Sequence, residues 1–174
     1  MLEAINLTKR YEDGELALDG LTFKVEPGEI FCMFGANGAG KTTTINLFLG
    51  FIPPTSGPAL IEGIDVAKDP LKAKRHVSFV SENVMLYGNF TAIQNLDYFS
   101  KLAGKRNLAK KDYAEVLGRV GLQKEAFDRR VKNFSKGMRQ KLGIAIALVK
   151  DAANVLLDEP TSGLDPQSGR EFLE

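Results

Sequence analysis

The sequence is poor in several things at once. It has one cysteine, one histidine, no tryptophan and no charge excess, with 23 Lys plus Arg against 22 Asp plus Glu among 174 residues. A single cysteine excludes an internal disulfide and fits a reducing compartment. Cys32 lies in the apolar run I-F-C-M and reads as a small buried hydrophobe rather than a reactive thiol. The formal charge of +1 leaves no electrostatic case for nucleic acid as the main ligand, and none is expected as a partner. No apolar stretch approaches the roughly 20 residues that span a bilayer. The opening MLEAINLTKRYEDGE has no basic flank followed by an apolar core, so it does not read as a signal peptide. Any membrane role must come through a partner.

What is present is ordinary for a soluble globular chain: 44% hydrophobic and 26% charged residues, in about one domain's length. LEAINL reads as a first strand. LTFKV alternates apolar and polar, the period of a half-buried strand. EIFCMF reads as a strand buried on both faces, and TTTINLFLG as a helix stopped by Gly50. ALIEG and HVSFV are short strands. Residues 91–130 are helical in pattern and more charged. A third helix, SKGMRQKLGIAIALVK, starts at the N-cap Ser135, with Met138, Leu142, Ile146 and Val149 on one face. NVLLD then reads as a buried strand ending in Asp158.

Between EIFCMF and the first helix lies GANGAGKTT: Gly35, Ala36, Asn37, Gly38, Ala39, Gly40, Lys41, Thr42 and Thr43. The string fits G-x-x-x-x-G-K-[ST] in the expected strand–loop–helix context. Glycines let the backbone N–H groups turn inward around a phosphate, and the helix behind them adds free N–H groups and a positive dipole end. Lys41 supplies a full positive charge to the β- and γ-phosphates, and the Thr42 hydroxyl can ligate Mg²⁺. A plain glycine turn with a solvated lysine would not need this order. In NVLLDEP, two carboxylates end an apolar strand. Asp158 would hold Mg²⁺ through a water, and Glu159 would orient or deprotonate the water attacking the γ-phosphate.

The third constellation is FSKGMRQ, whose Ser135 lies 23 residues before Asp158, and SGLD follows at residues 162–165. With these four motifs in order, nearly the whole chain resembles the nucleotide-binding domain of an ABC transporter. The resemblance implies an α/β fold of the P-loop NTPase type. Its core sheet is mainly parallel, with an antiparallel β portion at the N-terminus and a helical subdomain. The expected divisions are residues 1–86, 87–134 and 135–174. It implies ATP and Mg²⁺ as cofactors and ATP hydrolysis as the activity. Residues 35–43 correspond to the Walker A loop, Asp158 and the catalytic Glu159 to Walker B, and Ser162 to Asp165 to the D-loop. Ser135, Lys136, Gly137 and Met138 correspond to the signature motif, with Ser135 and Gly137 facing nucleotide. Tyr11 corresponds to the aromatic that stacks on adenine; the alternative is a surface or edge-strand tyrosine. The resemblance further implies a head-to-tail dimer with a second nucleotide-binding domain. ATP would be sandwiched between Walker A of one and the signature of the other, with transmembrane permease subunits as partners and a peripheral place on the cytoplasmic face of the membrane.

Four departures qualify the match. Lys136 stands for a glycine and Met138 for a glutamine, a variant similar to export-type systems; Lys136 is otherwise a solvated residue of a first helical turn. Glu82 stands where the family has the glutamine that meets Mg²⁺ or the attacking water; it is either that catalytic and metal-contacting residue or a plain loop acid. The last residues resemble the start of a helix that the family continues into a further central strand and a histidine. The expectation is therefore a C-terminally truncated domain with that strand missing, binding ATP weakly and hydrolysing it poorly. His76 is in the wrong place for the histidine and reads as structural. Two other readings stay open: a soluble ABC-type ATPase acting on nucleic acid or ribosomes, and a non-catalytic ATP-gated adaptor. Only 94 positions separate Lys41 from Ser135, with no heptad run, unlike the DNA-repair relatives.

Overall fold

The computed structural model describes residues 1–105 and 107–161, and the chain divides into two compact units, Met1–Val77 and a second beginning at Ser78. In the first, β1 (Leu2–Arg10) and β2 (Leu16–Val25) form an antiparallel hairpin running from Leu2↔Val25 to Arg10↔Leu16. The turn is closed by the Tyr11 N–H donating to the Glu15 carbonyl at 2.8 Å. β3 (Ala59–Ile61) pairs antiparallel with the other edge of β1, and β4 (Ile64–Asp65) with β3, giving the order β2-β1-β3-β4. The expected antiparallel N-terminal portion is therefore present.

The buried side of β1 is read by Leu2, Ala4 and Leu7, a break in the two-residue period. The register shifts between Ala4 and Leu7, and Asn6 takes a left-handed φ of 47° there. The extra residue is a bulge that returns Leu7 to the core. Helix α1 (Lys41–Phe48) lays Ile45, Leu47 and Phe48 into the same core with Ala59 and Ile61. It stops as expected at Gly50, which has φ 64°. The short α2 (Pro70–Ala73) starts on an Asp69 cap with proline in its first turn, where no N–H is needed.

The strand expected at EIFCMF is not formed. Residues 29–36 have no regular structure; Ile30 is 90% exposed, Phe34 92%, and Cys32 is also exposed. A strand exists only within a ladder, and no strand among the described residues pairs with this run. The segment is instead pinned to β2 by Phe31 stacking on Phe23, with ring centroids 4.9 Å apart.

In the second unit, β5 (Val77–Val80) lies beside β6 (Asn154–Leu157). The Asp158 N–H donates to the Val80 carbonyl at 3.0 Å, so both strands end together and run the same way. Helix α3 (Ala92–Leu102) opens with a capping box: the Thr91 side chain accepts from the Gln94 N–H and the Gln94 side chain from the Thr91 N–H. Helices α4 (Lys110–Arg119) and α5 (Lys136–Lys150) complete a core around Leu96, Tyr113, Leu117, Phe134 and Leu142. Met138, Ile146 and Val149 pack against it, so the expected apolar face of α5 is the observed one. Ser135 caps α5 as expected, its Oγ accepting from the Met138 N–H at 3.2 Å. β6, expected to be buried, leaves Val155 51% and Leu157 46% exposed. Helix α5 packs on β5, where the Ser78 hydroxyl donates to the Ala147 carbonyl, but no second layer among the described residues covers these two side chains.

Candidate functional site

The glycine loop stands open to solvent from Gly35 to Ala39 and turns inward at Gly40, which is buried. Gly38 and Gly40 have φ of 83° and 82°, in the region that glycine enters without a Cβ penalty. Gly40 is the residue before α1; its carbonyl accepts from the Thr44 N–H and the Thr44 hydroxyl at 2.8 and 2.9 Å. The first helical residue is Lys41. Its ammonium reaches back over the loop and donates to the carbonyls of Gly35 and Ala36, at 2.7 and 3.0 Å. The loop is thus curled around its own lysine at a helix N-terminus, the arrangement that receives phosphate oxygens. Thr42 is exposed beside it. Tyr11, at the hairpin tip, meets this loop: its hydroxyl lies 3.3 Å from that of Thr43. Lys9, which the sequence did not mark out, holds its ammonium 5.3 Å from the centre of the Tyr11 ring.

The second unit carries the carboxylates. Asp158 and Glu159 follow β6, and Glu82 follows β5 by two residues, so the common end of the two strands holds all three. Glu159 has a φ of 45°, an uncommon left-handed conformation for a side-chain-bearing residue. Glu82 is held by α5: the Lys136 ammonium stands 3.5 Å from its Oε1, and the Gln140 amide donates to its main-chain carbonyl at 2.8 Å. Gln140 carried no signal in the sequence beyond being a polar residue in an apolar helix. Ser135 and Gly137 form the exposed to half-buried start of the same helix. The D-loop residues Ser162 to Asp165 lie outside the described residues.

Among the described residues no group of three or more His, Cys, Asp or Glu forms an all-protein metal cage. Mg²⁺ in phosphoryl transfer does not need one. It takes one or two protein oxygens and completes its shell with phosphate oxygens and waters. An exposed threonine hydroxyl beside a phosphate loop, and a carboxylate at a strand end, are donors of that type.

A glycine loop leading into a helix that opens on lysine, together with a strand ending in paired carboxylates, defines a P-loop nucleotide-binding fold. The family model described as "ABC transporter" matches residues 18–162. Over its whole length the chain is 39% identical to the linearmycin resistance ATP-binding protein LnrL of Bacillus subtilis (strain 168), covering 56% of that protein. It is 35% identical to the ABC transporter ATP-binding protein NatA of the same organism, covering all of the chain and 72% of NatA. A solved dimeric, post-hydrolysis state of the ATP-binding cassette MJ0796 bound to ADP and Pi superimposes with a TM-score of 0.84 at 26% identity, over 99% of this chain and 80% of that one. The chain belongs to the ABC transporter family, as a member of its ATP-binding component. It spans about half the length of LnrL.

Proposed function

We propose that this chain is the nucleotide-binding part of an ABC transporter subunit that couples ATP binding and hydrolysis to transport by separate membrane subunits. The carrying observation is the Lys41 ammonium seated over the carbonyls of Gly35 and Ala36 at the start of α1. The γ- and β-phosphates of ATP take the inward N–H groups of residues 35–42, and Lys41 turns from the loop carbonyls to the phosphates. Tyr11 stacks on adenine beside Thr43. Thr42 beside the loop, and Asp158 (through a water) and Glu82 at the strand ends, would be the residues to hold Mg²⁺, which would supply charge neutralisation on the phosphates. Glu159 orients the attacking water and accepts its proton, and Glu82 sits near that water.

The dimeric MJ0796 with ADP and Pi supports a second copy completing the site, with Ser135 and Gly137 of one domain facing nucleotide held by the other. No helix among the described residues is long and apolar enough to cross a membrane. By family likeness, the reading places the spans in partner chains and this domain on the cytoplasmic face. Equilibrium titration of the full-length protein with a fluorescent ATP analogue tests the reading. Lys41→Ala is expected to weaken binding at least about tenfold, the loss of a charge-assisted contact; unchanged binding overturns it.

A further inference from the structure

Three residues one turn apart on α5, Lys136, Gln140 and Gly143, meet the segment that follows β5. Lys136 pairs with the Glu82 carboxylate at 3.5 Å. Gln140 donates to the Glu82 carbonyl at 2.8 Å. A Cβ at Gly143 would stand 2.9 and 3.0 Å from the two methyl groups of Val84, so that helix face and this segment touch along their length. Gln140 is 1% exposed, and its Oε1 has no hydrogen-bond partner among the described residues. Exchanging its amide ends would set an oxygen against the Glu82 carbonyl, so the contact fixes the amide's orientation. The main chain of Glu82 is therefore pinned by a buried amide. Its carboxylate faces the Lys136 ammonium.

The pair itself is half open to solvent, with side-chain exposures of 31% for Lys136 and 42% for Glu82. Such a pair contributes little to folding stability. Its effect lies in where the carboxylate points and how much negative charge it presents. The common end of β5 and β6 already carries Asp158 and Glu159. A third carboxylate there adds to the local negative charge unless a cation offsets it. Glu82 and Lys136 are also two of the positions at which the chain departs from the commoner family pattern. One brings a negative charge in place of a neutral amide, and the other a positive charge in place of a glycine.

We propose that Lys136 is a positioning residue for Glu82: it offsets the added carboxylate and holds it in the direction in which it serves Mg²⁺ and the attacking water. The two substitutions work as one unit. This rests on the reading of Glu82 given under Proposed function.

A double-mutant cycle on the full-length protein tests the pair, using Lys136→Met, Glu82→Gln and both together. The readouts are kcat and the half-saturating Mg²⁺ concentration for ATP hydrolysis. Mg²⁺-dependent binding of a fluorescent ATP analogue repeats the cycle without turnover. Lys136→Met alone is expected to shift these values about threefold to tenfold, the range of coupling between contacting residues. In the Glu82→Gln background it is expected to shift them less than about twofold, and Lys136→Arg is expected to retain the original values. Equal effects of Lys136→Met in both backgrounds, or no effect in either, overturn the pair. Retained binding in Lys41→Ala overturns the underlying reading instead, so the two failures are distinguishable.

Discussion

The hydroxyl of Tyr11 lies 3.3 Å from the hydroxyl of Thr43, tying the tip of the β1–β2 hairpin to the first turn of α1. The link crosses 32 residues of sequence and sets an aromatic face beside the loop that ends in Lys41. The Lys9 ammonium lies over the same ring, 5.3 Å from its centre.

If the ring stacks on adenine, Tyr11→Ala weakens ATP binding by about 1–3 kcal/mol, the range for base–aromatic stacking. Tyr11→Phe keeps the ring and loses only the hydroxyl tie, so its affinity stays within about threefold. Inorganic tripolyphosphate has no base, and its binding is expected to be unchanged in both variants. Isothermal titration reads all of these. Equal losses for ATP and tripolyphosphate would show that Tyr11 shapes the loop and does not touch the base.

Two glycines of the loop share nearly the same backbone angle and differ in surroundings. At Gly40, with φ 82°, a Cβ would stand 2.6 Å from the Ala17 carbonyl oxygen and 2.6 Å from a Leu18 methyl. At Gly38, with φ 83°, no atom lies within 4 Å of that position. Gly38→Ala carries only the left-handed penalty, about 1–2 kcal/mol. Gly40→Ala adds a clash with main chain and is expected to cost about 1–3 kcal/mol more. Urea midpoints of the two variants read the difference, and equal destabilisation would contradict it.

The parts legible in the sequence are those with local causes. Ser135 announces its helix because a cap bonds within three residues of itself. The phosphate loop is legible because its glycines and Lys41 are neighbours in the chain. The buried strand expected at EIFCMF and the burial expected of β6 failed for one reason: both depend on ladders and covering layers supplied from far away in sequence. The exposure of Cys32 follows from the first of these. Glu82 and Lys136 are 54 residues apart, and neither residue alone predicts the other. Gln140 looks like one more polar residue in the first turns of α5 until the carbonyl it holds is seen. The antiparallel order β2-β1-β3-β4 also hides its bulge, since the apolar residues of LEAINL simply fall out of step.

Asp97 joins α3 to α4, accepting from the Lys101 ammonium at 2.7 Å and from the Tyr113 hydroxyl at 3.1 Å. The bond from Lys101, with that from Tyr113 adding to it, holds its carboxyl below the ordinary value of 3.8. A lowered value means the folded state prefers the ionised form. The contribution is therefore fully present above pH 3.8 and is lost as the pH falls through the lower folded value. Asp97 is 38% exposed, so screening keeps the contribution below about 1 kcal/mol. Asp97→Asn is expected to melt about 1–3 °C lower near pH 6, with the gap closing as the pH falls below the ordinary carboxylate range. Paired melts across that range check the sign; a gap that persists at the acid end assigns Asp97 a packing role.

Glu159 follows Asp158, whose N–H is anchored to the Val80 carbonyl, and its own φ of 45° turns the chain sharply off the end of β6. Glu159→Gln keeps side-chain shape and tolerates the same backbone angle, but cannot take a proton. In the full-length protein, hydrolysis is expected to fall by a factor of about 10² or more, the usual worth of a positioned base. ATP binding is expected to remain. Nucleotide that is bound but not cleaved then keeps two domains together, each phosphate chain held by the loop of one and the Ser135 end of α5 in the other. Light scattering with excess Mg²⁺ and ATP is expected to show twice the monomer mass for Glu159→Gln, and the monomer mass when Lys41→Ala is added. A monomer in the first case would contradict the shared site. Unchanged turnover would remove Glu159 from the chemistry and shift that role to Glu82, another carboxylate at the same end of the strands.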